Sequence, residues 1–345
     1  MPTLSPSFDP AVEAEFAAIV DSLTRRGFVA GGLALTVGAA LAACGSEASA
    51  PAIESATRTV TTGAGSFTVP THPTRVVCID YFTAIFLTEL GLTPAGGIDY
   101  SWVDASSMYP AYVPLLKRLP NIGEITSTNY ELVTALSPDL ILGPTPGSQY
   151  DNSKGAMKTL SAVAPVASVD FGQTGDWRSP LLQAAQIVNR EPQLEPLIAA
   201  YEKAVAAAKE KYADVLSDAV VSVIDYSQSG IFALDLPESS NGVILSDLGV
   251  RYGSASASNG TNSRELSLER LSDLADSDII LFRADASGAP ISGLDDVVAM
   301  RAWKDLPAVR AGHAYPIGWA DVCTYRWAGT AIGDFTSILD RYRAS

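Results

Sequence analysis

The stretch Asn129-Tyr130-Glu131-Leu132-Val133-Thr134-Ala135-Leu136-Ser137-Pro138-Asp139-Leu140-Ile141-Leu142-Gly143 decides the fold class. Residues 130–136 carry a short helical pattern. Ser137-Pro138 ends it, because the residue before a proline is pushed away from helix. Residues 139–143 are an aliphatic run of the length of a fully buried strand. A helix followed by such a strand is one unit of a parallel sheet covered by helices.

The same alternation extends outward in both directions. Upstream, residues 75–79 (Arg-Val-Val-Cys-Ile) read as a buried strand, 83–90 as a helix stopped by Gly91, and 94–98 as a second strand. Downstream, 154–161 read as a helix and 166–169 as a strand. Residues 181–188 are apolar at helical spacing, and Pro196 opens a long helix to residue 216. Leu197, Tyr201, Val205, Ala208, Tyr212 and Val215 form its apolar stripe. About 20 residues at 1.5 Å each give ~30 Å, the span of a small domain. Strands then resume at 219–224, 231–234, 278–282 and 314–317, with helices at 240–248, 268–274, 297–303 and 328–342. The fold class expected is α/β: two Rossmann-like lobes with parallel sheets, residues 60–178 and 218–345, joined through a connector (179–217) by one long rigid α-helix.

Composition agrees. The 345 residues suit two folded units, and 47% hydrophobic against 18% charged residues supplies a sizeable core. Thirty-eight acids against 23 bases give a net charge of −15, which repels phosphate backbones and argues against nucleic-acid binding. Two histidines, His72 and His313, preclude a His-rich metal site, and three cysteines cannot build a disulfide scaffold. There is no Gly-x-Ser-x-Gly elbow and no phosphate-cradling glycine loop. An enzyme is therefore not expected, nor is a resident cofactor.

The N-terminal 43 residues read as an address. Arg25-Arg26 precede an apolar run over residues 28–43, too short to span a bilayer. The arginine pair resembles a twin-arginine export signal, and Leu41-Ala42-Ala43-Cys44 resembles a bacterial lipoprotein box. Cys44 is then the lipidated residue, and 44–59, with its Ala-, Ser- and Thr-rich stretch, is a flexible tether.

Several ordered segments resemble the substrate-binding lipoproteins of bacterial ABC importers for iron–siderophore, haem and cobalamin. They are Pro73-Thr74-Arg75-Val76-Val77, Leu90-Gly91-Leu92-Thr93-Pro94-Ala95-Gly96-Gly97, Ile122-Gly123 with the decisive stretch, Ala164-Pro165-Val166, and Trp303 with Leu306-Pro307-Ala308-Val309 and Gly312-His313-Ala314-Tyr315. The resemblance covers most of residues 70–340. It implies a ligand cleft between two lobes, a dimeric ABC permease with a cytoplasmic ATPase as partner, and a monomer held by lipid on the outer face of the cytoplasmic membrane. It also implies that Glu131 and Glu269 dock on permease arginines. Without it, both are ordinary first-turn glutamates favoured by the helix dipole.

Ligands of open parallel sheets sit beyond the carboxyl ends of the strands. The candidates there are Tyr81, Phe82, Tyr100, Trp102, Thr145, Phe171, Tyr226, Arg283 and Trp319, followed by Tyr325, Arg326 and Trp327. Of these, Tyr81, Trp102, Tyr226, Arg283, Trp319, Tyr325 and Arg326 are the expected ligand-binding set. Aromatic walls with a few arginines suit a large, flat, partly anionic ligand such as a ferric siderophore of catecholate or mixed type. For each aromatic, core packing is the competing explanation, and Arg264 is equally explained by a local pair with Glu265. Haem or cobalamin on the same fold is the alternative, with Tyr81, Tyr226 or Tyr325 as a haem axial ligand. Cys78 is expected to be a buried thiol; the state of Cys323 stays open.

Overall fold

The computed structural model describes residues 56–103, 108–124, 127–146, 156–285, 287–319 and 321–345. The export segment, Cys44 and residues 44–55 of the tether lie outside them. The described chain opens with an antiparallel hairpin, β1 (Thr57–Thr62) against β2 (Gly65–Pro70). Residues 57–59, expected in the tether, are thus strand. Their threonines suit a half-exposed strand as well as a linker.

The N-terminal sheet is parallel, with β6 (Leu140–Pro144) between β3 (Val76–Cys78) and β7 (Val166–Val169). A small antiparallel pair, β4 (Gly123–Glu124) and β5 (Ser127–Thr128), precedes β6. Residues 94–98 do not form the expected strand; they make only isolated bridges, Val77 to Gly96 and Gly97 to Asn121. Helix α1 (Tyr81–Glu89) follows β3, and its Asp80 cap accepts from the N–H groups of Phe82 and Thr83. Gly91, at φ +71°, takes the left-handed conformation that ends it. Helix α2 (Tyr130–Ala135) is capped by the Asn129 side chain and leads into β6.

The C-terminal sheet contains β8 (Val220–Gln228), β9 (Ile231–Asp235), β10 (Arg251–Tyr252), β11 (Ser263–Ser267), β12 (Ile279–Arg283) and β13 (Ala314–Ile317). Its order is β11-β9-β8-β12-β13, with β10 beside the start of β8. This sheet is mixed, not all parallel. β10, β8, β12 and β13 pair in parallel, but β9 runs antiparallel to both β8 and β11. The cause is local: Ser229 (φ 51°) and Gly230 (φ 82°) both have positive φ, the two-residue turn that closes a hairpin.

Both sheets are buried on two faces, which explains their uninterrupted apolar runs. Val76, Cys78, Leu140 and Leu142 point into one cluster, while Val77, Ile79 and Ile141 point into another. In the second sheet Val221, Val223, Ile279 and Leu281 join the first cluster, and Ile224 and Ile280 face a third. The inner faces of both sheets thus share one core.

Between the sheets run α3 (Arg178–Val188) and the long α4 (Glu191–Lys211). The long helix starts five residues earlier than expected, with Pro192 rather than Pro196 in its first turn. Pro196 sits one turn in, where its missing N–H forfeits a single bond. The helix breaks at Tyr212, and residues Ala213–Asp218 form a separate short helix. α4 packs along the closing helix α6 (Tyr325–Ala344); Lys211 pairs with Asp340 at 3.2 Å, and Arg343 reaches back to Asp214. Residues 268–274 are a 3-10 helix, and the helix expected over 297–303 divides at Met300 into Leu294–Ala299 and Arg301–Lys304.

Candidate functional site

Successive residues of a strand point to opposite faces, so Asp225 and Tyr226 of β8 should not share a wall. They do share one, because the β8–β9 register shifts between Ile224 and Tyr226, and a bulge re-aims the chain. Both line a cavity of about 220 Å³ between the two sheets. Phe82, Phe86, Phe171 and Trp177 line it from the N-terminal side; Asp235 and Asp321 join Asp225 and Tyr226 on the other.

The aromatic wall is braced from behind. The rings of Phe82 and Phe86 lie 5.4 and 6.0 Å from that of Phe171. Trp177 meets Tyr325 edge-on at 5.0 Å and Tyr201 at 6.3 Å. Tyr201 donates to Asp247 at 2.7 Å, and Arg178 reaches the same carboxylate at 3.0 Å. One anion therefore ties together α3, α4 and α5 (Ser240–Asp247).

At one side the two halves touch. The Gly175 N–H donates to the Glu238 carbonyl at 2.8 Å, and a Cβ on Gly175 would stand 2.3 Å from the Ser240 nitrogen. Only glycine permits this approach. Ser239, whose hydroxyl caps α5, and Ser240 also line the cavity.

The charges are mostly acidic. Asp176, Asp225, Asp235 and Asp321 line the cavity, and its lining among the described residues includes no lysine, arginine or histidine. Arg178 neutralises Asp176 at 2.8 Å. Arg283 is shared between Asp225 at 3.1 Å and Asp321 at 3.3 Å. Asp235 accepts from Asn241 Nδ2 at 2.8 Å. Burial pushes the Asp225 carboxyl up, and the Asp321 charge adds to this against the pull of Arg283. Burial and then the Asp225 charge push Asp235 well up.

Of the residues expected to bind ligand, Tyr226 lines the cavity, and its hydroxyl donates to Glu265. Tyr81 stacks on Trp102, with rings 5.5 Å apart and 19° from parallel. Burial raises its phenol, and the nearby Asp321 charge adds to this against the pull of Arg283. Trp102 is 56% exposed, and its Nε1 donates to the Asp99 carbonyl. Arg283 lies behind the wall between its two aspartates. Tyr325 stands behind Trp177 and fills a supporting position.

Neither Tyr81 nor Trp102 is among the residues that line the cavity, and Trp319 and Arg326 lie further from it in role. Trp319 is buried in the shared core. Arg326 is not among the residues that line the cavity and pairs with Glu89. The expected pair of anion-binding arginines is not assembled, since Arg283 and Arg326 already hold carboxylates. Arg264 does not pair with Glu265; it donates to the carbonyls of Ala255 and Ala257. Tyr100 and Trp327 are buried, and the Thr145 hydroxyl donates to the Val169 carbonyl.

Cys78 and Cys323 are both buried free thiols. Glu131, on the first turn of α2, and Glu269, on the 3-10 turn, are exposed. Among the described residues neither belongs to an ion pair. The aspartates Asp225, Asp235 and Asp321 went unanticipated. The available sequence signal is that Asp225 and Asp235 each directly follow an apolar strand run.

The periplasmic binding protein family model matches residues 76–318. The iron(3+)-hydroxamate-binding protein FhuD of Bacillus subtilis is 32% identical over 83% of this chain and 89% of its own length. The probable siderophore-binding lipoprotein YfiY of the same organism is 28% identical over 80% of this chain and 86% of its own length. Among solved structures, the siderophore periplasmic binding protein from the fuscachelin gene cluster of Thermobifida fusca superposes with a TM-score of 0.66. It is 24% identical and covers 79% of this chain and 98% of its own.

Proposed function

The chain belongs to the periplasmic binding protein family, and we propose that it captures a ferric siderophore between its two lobes and delivers it to an ABC permease. Members of this family bind and deliver substrates; they are not enzymes. The observation that carries the proposal is the cavity walled from both sheets, aromatic on one side and polar on the other. That composition suits an orienting, non-reactive grip on a small molecule. The relatives' ferric hydroxamates and siderophores supply the ligand class.

Haem is not favoured as cargo. An axial tyrosine binds iron as the phenolate, and burial holds the Tyr81 and Tyr325 phenols above their ordinary range. The Tyr226 hydroxyl is engaged by Glu265.

In the proposed cycle α4 acts as a brace. Its bonds to α5 and α6 fix it on the 218–345 lobe, and Arg178, at the end of the 60–178 lobe, reaches the same Asp247, which together restrict the lobes to a small hinge motion. Glu131 and Glu269, exposed on separate lobes, register the loaded protein on permease arginines, where complementary charge fixes orientation. The permease, powered by a cytoplasmic ATPase, then opens the lobes. Export through the twin-arginine segment and lipidation of Cys44 keep the monomer at the outer face of the cytoplasmic membrane.

Radio-iron uptake by cells carrying Glu131→Ala and Glu269→Ala together tests delivery. Uptake should fall to background while ferric-siderophore affinity of the purified protein stays within about twofold of wild type. Persisting uptake would refute the docking assignment.

A further inference from the structure

We infer that the cavity selects ferric complexes without net negative charge, and that Asp225 and Asp235 seat a pendant ammonium group of the ligand. The inference rests on the siderophore reading and names the charge class of its ligand.

Coordination chemistry sets the alternatives. A ferric tris-catecholate is a trianion, and ferric α-hydroxycarboxylate complexes are also anionic. A ferric trihydroxamate is neutral, and becomes a cation when its backbone carries a protonated amine. An anion leaving water needs charge-assisted donors to replace its hydration. Among the described residues the cavity lining offers no cationic side chain. The arginines that pair with wall carboxylates are already engaged, Arg178 with Asp176 and Asp247 and Arg283 with Asp225 and Asp321, although the buried Arg283 Nε has no partner among the described residues. Freeing Arg283 for an anion would leave Asp225 buried and unpaired, which costs more than the new pair returns.

The helix ends near the cavity do not reverse this. Their N-termini favour anions by a fraction of a charge. On α1, α5 and α6 that fraction is already met by side-chain caps, Asp80, Ser239 and Thr324; α3 has no side-chain cap at Trp177, but its Arg178 N–H donates to Asp176 at 3.1 Å.

Two further observations point to a ligand. Trp177 lines the cavity, is only 4% exposed, and its Nε1 has no hydrogen-bond partner among the described residues. An indole donor suits a neutral carbonyl or hydroxamate oxygen. Asp235 is 7% exposed and lines the same cavity, yet the Asn241 amide is the one side-chain donor described for it. Burial favours the neutral form of a carboxyl this lightly compensated, and a cation seated beside it would restore the carboxylate.

The test uses tryptophan fluorescence of the full chain titrated with three probes: a neutral ferric trihydroxamate, the same scaffold with a pendant ammonium, and a ferric tris-catecholate. Both hydroxamates should bind, the cationic one more tightly. Raising salt from about 0.05 to 0.5 M should weaken the cationic probe by about tenfold and leave the neutral one nearly unchanged. Asp235→Asn and Asp225→Asn should each reduce the cationic-to-neutral affinity ratio about tenfold. Salt dependence on the unaltered protein decides the matter should either variant misfold. Tightest binding of the tris-catecholate, or a cationic-to-neutral ratio indifferent to salt and to both variants, would overturn the charge inference alone. Binding of none of the three would overturn the siderophore reading itself.

Discussion

Glu89, at the last turn of α1, and Arg326, in the first turn of α6, are 237 residues apart in sequence, and their side chains meet at 3.3 Å. Glu89 is fully buried, and it also accepts from the Tyr112 hydroxyl and from the Arg326 backbone N–H at 3.1 Å. Tyr112 in turn lies 3.2 Å from Thr324, the cap of α6. A single carboxylate therefore joins the N-terminal lobe to the closing helix.

Removing that carboxylate should loosen the junction. Glu89→Ala leaves Tyr112 and the start of α6 without their acceptor, at a cost of about 1–3 kcal/mol. Glu89→Gln keeps an acceptor and should cost less. Urea unfolding of both variants checks the order. Equal stability of Glu89→Ala and wild type would show that the contact does not bear load.

Asp80 makes stability depend on pH. Burial pushes its carboxyl up to about 6 from 3.8, against the lowering effect of its Thr83 and Phe82 bonds. The folded protein thus holds this proton more tightly than the unfolded chain. The resulting stability is fully present below about 3.8 and is lost as pH rises through about 6, by up to about 3 kcal/mol. Asp80→Asn retains a capping side chain and should flatten this slope, whereas Asp80→Ala should also lose about 1 kcal/mol of cap. Chemical denaturation between pH 4 and 7 measures both. An unchanged slope in Asp80→Asn would assign the dependence elsewhere.

Gly175 limits how closely the halves approach. Gly175→Ala drives a Cβ into the backbone at Ser239–Ser240. Overpacking of this kind costs about 1–3 kcal/mol, so ligand affinity should fall about tenfold with little change in the fold. Isothermal titration provides the comparison, and wild-type affinity in the variant would mean that this contact is not kept in the loaded state.

Cys78 and Cys323 should be inert. Both thiols are buried, and burial is the first cause raising each above the ordinary range. A thiol reagent should label neither in the native protein and both after unfolding. Fast labelling of Cys323 in the native state would show that the cavity wall opens readily.

Much of the fold was legible because its strands are buried on both faces. Val76–Cys78, Leu140–Pro144, Val166–Val169 and Ala314–Ile317 are apolar runs that allow few alternatives. The misread segments are half exposed or shaped by distant contacts. β11 has one buried residue, Leu266, and its pairing with β9 leaves no trace in local pattern. The start of α4 was misplaced because Pro192 and Pro196 are both plausible first-turn prolines.

The site was legible in part, through the aromatics that follow strands. Phe82, Phe171 and Tyr226 line the cavity. Trp319 and Arg326 looked equivalent to them in sequence, but one is spent on core packing and the other on Glu89. The acidic character was hidden because it depends on a bulge at Asp225 and on a buried strand end at Asp235, features of pairing rather than of composition.

The central claim is that a ferric siderophore occupies the cavity between the sheets, and equilibrium titration with a ferric trihydroxamate tests it most directly. Tryptophan emission should quench saturably at one ligand per chain with sub-micromolar affinity, more than about 8 kcal/mol of binding. The quench should weaken at least about tenfold when Phe171 and Tyr226 are both replaced by alanine. Saturable binding that ignores this double replacement, or chemical conversion of the bound complex, would contradict the account.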